Sequence, residues 1–205
     1  MPYIVASIIA AVSALIILLT RYDSDDSTIK VELENMKSMI FVVDGFVDTF
    51  IQSGGDISEI NFQKLYDDGI LPENIKRSDD SGLEDSDGVV SNLVSVSDPL
   101  NPTDSELKAK LKSTLKFPNN EVIWQLIPNI ENNTSYKILV NMTTNSALDS
   151  RAGFAESFLG KEYCEKALFG EFETKGDGYD DSVDSETFTE NGNEKDGKFV
   201  CIIYK

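Results

Sequence analysis

The chain contains no histidine. That removes the side chain best suited to proton transfer near neutral pH. Also missing are the GxSxG, HExxH, P-loop and dinucleotide signatures that would place a nucleophile, a metal or a phosphate. The sequence therefore reads as non-enzymatic. Basic residues are scarce as well, with 18 Lys and Arg against 36 Asp and Glu and a formal charge of −18. Nucleic acid is bound through clustered Lys and Arg, and anionic headgroups attract the same sign of charge. The balance argues against nucleic acid and against docking on anionic lipid by charge. The ordinary meaning of such acidity is solubility, mutual repulsion or a salty habitat. Cysteine is limited to Cys164 and Cys201, and neither has a CxxC neighbour. That argues against a zinc or dithiol redox role. An even pair reads as one disulfide in an oxidising compartment. Two buried free thiols are the alternative at this point.

What the chain does have is a long apolar beginning. Tyr3 to Thr20 carries no charge, and as a helix it would reach about 27 Å, enough to cross a bilayer core. After the polar stretch from Arg21 to Thr28, Ile29, Leu33, Met36, Ile40, Val43, Val47 and Phe50 recur at alternating spacings of four and three. This is the stripe of an amphipathic helix with one buried face. The polar stretch is either a solvated turn of one helix or a segment that melts in an assembly. Three regions follow: residues 1–28, a hydrophobic span with its polar break; 29–53, the amphipathic half of the long helix; and 54–205, a globular head. The start lacks the basic n-region and clean cleavage site of a secretory signal. Ala10, Ala11, Ser13 and Ala14 imitate a cleavage site, but an uncleaved anchor fits better. Asp23, Asp25, Asp26 and the cysteine pair place the head outside the cytoplasm.

Within the span, Ala6, Ala10 and Ala14 fall at i, i+4 and i+8, beside Ser7 and Ala11. Lipid gives apolar surfaces no reason to associate, so helices meet where small residues let backbones approach closely. Alanine is also common in membrane helices, which is the plainer account of the same residues.

A spanning helix from residue 1, its amphipathic continuation to about residue 50, and a disulfide-closed α/β head together resemble a mature type IV pilin or pseudopilin. Met1 is similar to the first residue of class b pilins, and that resemblance implies its methylation. The chain departs from the pattern at Val5, where glutamate is usual, and at Arg21 and Tyr22, where proline is common. The resemblance implies homo-oligomeric helical filaments with helices in the core and heads outside, anchored in the inner membrane before assembly.

The expected fold class is α+β, the long helix packed on a small antiparallel sheet. Ser53, Gly54 and Gly55 end the helix. Asp56 and Glu59 read as a capping box opening a short helix through Tyr66. Residues 67–87 read as an acidic loop, and 89–96 as a weak strand. Asp104 caps a helix to Leu115 bearing Lys108, Lys110, Lys112 and, just beyond it, Lys116. These lysines form either a solvated face or a patch for a neighbour's acidic loop. Val122–Ile127 and Tyr136–Met142 read as an antiparallel pair. Residues 148–169 read as a helix capped by Ser146 or Asp149, weakened at Gly160 and stopped by Gly170. Phe199–Tyr204 reads as a closing strand.

Two modest sites remain. Asp177, Asp180, Asp181 and Asp184 lie among glycines, as calcium accepts, although no EF-hand register fits. A solvated acidic loop is the alternative, so no cofactor is expected beyond a candidate structural Ca²⁺. Three glycosylation-type sequons overlap the hairpin: Asn132-Asn-Thr, Asn133-Thr-Ser and Asn141-Met-Thr. Asn133 and Asn141 stand as candidate acceptors, with meaning only in an archaeal or eukaryotic source.

The expected function is that of an extracellular pilus-like filament subunit, supporting adhesion or motility. The alternatives are a single-pass anchored binding domain that does not polymerise, and a minor pseudopilin of a secretion machine.

Overall fold

The computed structural model describes residues 2–78, 88–91, 113–150, 160–171, 178–179 and 196–205, with side chains from residue 27 onward. Helix α1 spans Pro2–Gln52. The polar residues 21–28 are thus helical backbone here. The chain divides into two compact units, 1–39 and 40–205.

In the first unit, Ile29, Leu33 and Met36 are buried. Their spacing is the one that the sequence pattern assigns to a single helix face. Ser38 Oγ donates to the Glu34 carbonyl at 3.2 Å, and Lys37 lies 3.7 Å from the Glu34 carboxylate. These are local i, i+3 and i, i+4 contacts of the exposed face.

The second unit opens with the end of α1, where Ile40, Val43, Val47 and Phe50 continue the buried stripe. Gly54 takes φ 93°, a left-handed value that costs glycine nothing. Its N–H donates to the Ile51 carbonyl, and the Gly55 N–H donates to the Phe50 carbonyl, both at 3.0 Å. This pair of bonds is a Schellman motif, which satisfies the last carbonyls of the helix. A Cβ on Gly55 would sit 2.4 Å from the Phe50 ring, so the ring closes directly over the turn.

The expected capping box resolves into two elements. Asp56 accepts from the Ser58 N–H and caps only a 3₁₀ turn, Ile57–Glu59. Asn61 accepts from the Lys64 N–H and opens helix α2, Phe62–Asp67. Buried Ser113 explains the choice: its Oγ accepts from the Gln63 N–H and donates to Asn61 Oδ1. Tertiary hydrogen bonds thus fix the start of the helix at Asn61.

Six strands follow in chain order across one sheet: β1 Ile75–Arg77, β2 Gly88–Ser91, β3 Thr114–Lys116, β4 Ile123–Pro128, β5 Ser135–Asn141 and β6 Lys198–Tyr204. The β1–β2 pair is parallel and the others are antiparallel. The sheet is therefore mixed, where the sequence suggested a purely antiparallel one. Residues 75–77, expected in a loop, form β1 because buried Ile75 pairs beside Gly88. Residues 114–116, expected to end a helix, form β3 because Leu115 packs between Val90 and Trp124. Burial on a sheet outweighs the weak helical spacing there. The rest of that expected helix, with Lys108, Lys110 and Lys112, lies outside the described residues. So do residues 92–96 of the expected weak strand.

The hairpin of β4 and β5 and the closing strand β6 stand where the pattern put them. Their register stacks Trp124, Val140 and Phe199 in one row, and Leu126, Ile138 and Cys201 in the next. All six are buried, on the face from which Tyr136 reaches Asp44 of α1. Phe41, Tyr163 and Phe199 continue this layer as an aromatic chain, with centroids 6.3 and 6.2 Å apart. The opposite face buries Ile127, Leu139, Val200 and Ile202 with Tyr179.

The expected helix 148–169 is represented by α3, Ser146–Asp149, and α4, Lys161–Ala167. Residues 151–159 lie outside the described residues. Asn145 caps α3, accepting from the Ala147 and Leu148 N–H groups, in place of the expected Ser146 or Asp149. Gly160 stands at the start of α4 and not within a helix.

Candidate functional site

Three arrangements in the second unit carry chemistry. The first joins α1 to the sheet. Tyr136 OH donates to Asp44 Oδ1 at 2.7 Å. Lys205 Nζ reaches Asp44 at 2.6 Å and Asp48 at 2.9 Å. Tyr136 is buried, in the row of the hydrophobic face next to Leu126, Ile138 and Cys201. Burial pushes its phenol well above the ordinary range, and the Asp44 charge adds to this. Burial opposes charging of Lys205, but its bonds to Asp44 and Asp48 outweigh that and raise its pKa. Tyr136 and Lys205 therefore keep their protons, and Asp44 serves as their common acceptor. Sequence reading missed this clamp. A clue was present in Asp44 and Asp48, acids at i and i+4 beside the buried stripe.

The second arrangement is the disulfide. Cys164 on α4 bonds Cys201 on β6, with Cα atoms 5.7 Å apart. The pairing expected from the even count is present, and the free-thiol alternative falls away. Phe169 takes the left-handed φ of 52° that ends the helix. Gly170 then passes over the bridge. A Cβ there would lie 2.3 Å from the Ile202 carbonyl oxygen and 2.7 Å from Cys201 Sγ. Only glycine fits that crossing. Glu171 next exchanges two backbone hydrogen bonds with Ile202, at 2.8 and 2.9 Å.

The third arrangement lies on the opposite sheet face. Lys137 is 2% exposed, with Nζ 5.3 Å from the centroid of the Tyr179 ring. A cation over an aromatic face is favourable when shielded from water. The Tyr179 hydroxyl bonds Ser135 Oγ at 2.7 Å, and Asn129 Nδ2 donates to the same Ser135 oxygen at 3.2 Å. The Ile130 N–H donates to the Gly178 carbonyl. Gly178 and Tyr179 belong to the acidic segment proposed for calcium. Tyr179 itself is held on the sheet by a hydrogen bond and apolar packing. Asp177, Asp180, Asp181 and Asp184 themselves lie outside the described residues. Among the described residues no group of three or more acidic, Cys or His side chains comes together to hold a metal. A polar cleft of about 180 Å³ borders this region, lined by Asn129, Glu131, Thr134, Glu171 and Tyr204.

Ala6, Ser7, Ala10, Ala11 and Ala14 fall on helical backbone, and their side chains and Met1 lie outside the described residues. Among the described residues no helix is long and apolar enough to cross a membrane. The run from Tyr3 to Thr20, expected to do so, is described only as backbone. The structure brings Asn132 and Asn133 to the tip of the β4–β5 hairpin and leaves Asn141 at the end of β5. No family model, curated protein or solved structure matches the chain.

Proposed function

We propose that this chain is a structural subunit of a type IV pilin-like extracellular filament. Its apolar helix would pack against copies of itself, and its disulfide-closed head would form the outer surface. The observation that carries this reading is architectural. One uninterrupted helix, 51 residues long, precedes an α+β unit whose final strand is tied back by a disulfide. At 1.5 Å per residue such a helix is about 77 Å long, far more than a bilayer requires. Its opening run, Tyr3 to Thr20, is apolar without charge, as packing among lipid or among like helices demands. The second half buries one face only, as a helix carrying a soluble head should. The protein would be held in the inner membrane before assembly, with Met1 methylated if it follows the resemblance.

Replacing Ala10 by Leu or Phe tests the assembly. Close backbone approach is lost, while insertion into lipid is unharmed or improved. Filaments sheared from cells and counted in electron micrographs should disappear, with the anchored monomer still present by immunoblot. Normal filament yield would favour an anchored domain that does not polymerise.

A further inference from the structure

The three sequons, of which those at Asn132 and Asn133 overlap, are not equivalent once folded, and their exposure singles out a residue. Asn133 depends on the hydroxyl of Ser135, which is buried and already bonded to Tyr179 and Asn129. Asn141 is half-buried at the end of β5, and Met142 behind it is fully buried, its N–H bonded to the Gly197 carbonyl at 2.8 Å. Asn132, Asn133 and Thr134 are all exposed at the hairpin tip. There Asn132 Oδ1 accepts from the Thr134 N–H at 3.2 Å and from Thr134 Oγ1 at 2.7 Å. Thr143 makes the same two bonds to Asn141 Oδ1, at 3.0 and 2.7 Å, but that asparagine is half-buried and the residue after it is buried. At Asn132 the carboxamide, the middle residue and the hydroxyl are all presented to solvent. We infer that Asn132 is the acceptor of an N-linked oligosaccharide.

The donor class is an oligosaccharide carried on a lipid pyrophosphate, used by a separate membrane transferase. Asn132 Nδ2 forms a bond to the anomeric carbon as the carbon–oxygen bond to the lipid pyrophosphate breaks. One Nδ2 proton leaves to a base of the transferase, and the lipid pyrophosphate departs with the electron pair. No oxidant or reductant is needed. The inference rests on the proposed export of the head, because such transfer takes place on the outer side of a membrane.

The test is peptide mapping of the full chain recovered from the surface fraction of its own cells. Trypsin separates the peptide 117–137, which holds Asn132, from 138–151, which holds Asn141. A glycan mass on the first peptide, localised to Asn132 by fragmentation, is the expected result. It should vanish in Asn132→Gln and Thr134→Val, and persist in Asn133→Gln and Asn141→Gln. A glycan confined to Asn133 or Asn141, or an unmodified chain in the surface fraction, overturns the inference and leaves the filament reading standing. A chain found only inside the cell overturns both.

Discussion

The clamp between Tyr136, Asp44 and Lys205 makes a quantitative prediction. Tyr136→Phe removes one hydrogen bond to a carboxylate, worth about 1.5–3 kcal/mol when shielded. Tyr136 is 0% exposed, so the shielded value applies to its side of the bond. Asp44→Ala does more. It strands the Tyr136 hydroxyl without its acceptor, at about 1–3 kcal/mol, and leaves Lys205 with Asp48 alone. That second loss is small, because the Asp48 side chain is 47% exposed and partly exposed pairs contribute at most about 1 kcal/mol. We expect Asp44→Ala to cost about 1–4 kcal/mol in all. The double variant should cost clearly less than the two singles summed, by about 1–3 kcal/mol, because both remove the same bond. Urea unfolding at neutral pH reads this directly. Trp124 is the single tryptophan and is fully buried, so its emission reports loss of the sheet core. A coupling energy below about 0.5 kcal/mol would refute the reasoning, since it would mean that the two side chains act independently.

The same clamp sets an alkaline limit. Tyr136 and Lys205 have folded pKa values raised above their ordinary 10.0 and 10.5. Their contribution is complete below those values and is lost as pH rises through the folded ones. The urea midpoint should therefore hold from pH 7 to 9 and fall above about pH 10, less steeply in Tyr136→Phe. Cys201→Ser opens a covalent loop with a sequence separation of 37. It should cost about 4 kcal/mol by chain entropy, and unchanged protease resistance of the C-terminal third would contradict this. Gly55→Ala drives a methyl into the Phe50 ring and should destabilise by about 1–3 kcal/mol, whereas an unchanged melting temperature would show that the turn can relax. Chelator should leave the melting temperature unaltered while monovalent salt raises it slightly, because salt screens repulsion among the carboxylates of a chain with a formal charge of −18. A loss restored by calcium but not by magnesium would instead place a metal there.

The parts of the fold legible in the sequence were those with a sustained period or a strong punctuation mark. The alternating four and three of Ile29 to Phe50 marked one buried helix face, and each of those side chains is buried. Ser53-Gly54-Gly55 marked its end. The β-branched runs in β4, β5 and β6 marked the hairpin and the closing strand. Three-residue strands carry too little pattern to be seen: β1 and β3 exist because Ile75 and Leu115 have neighbours far away in sequence. The choice of Asn61 over Asp56 to open α2 depends on Ser113, some fifty residues later. Lys137 was invisible for a different reason. A lysine within a strand reads as its solvent face, and the Tyr179 ring that lies against this one comes from a distant segment.

The crossing of Gly170 over the disulfide has a consequence beyond stability. Among the described residues β6 is an edge strand of the sheet, with β5 on its one side. An uncovered, apolar edge strand is a template on which another chain can add. Glu171 occupies both backbone groups of Ile202, and it is held there by the bridge one turn away. Reduction would release Glu171 as well as loosen the core, exposing the Val-Cys-Ile-Ile edge to strand addition from other copies. The bridge thus keeps the outer backbone groups of Ile202 paired within their own chain.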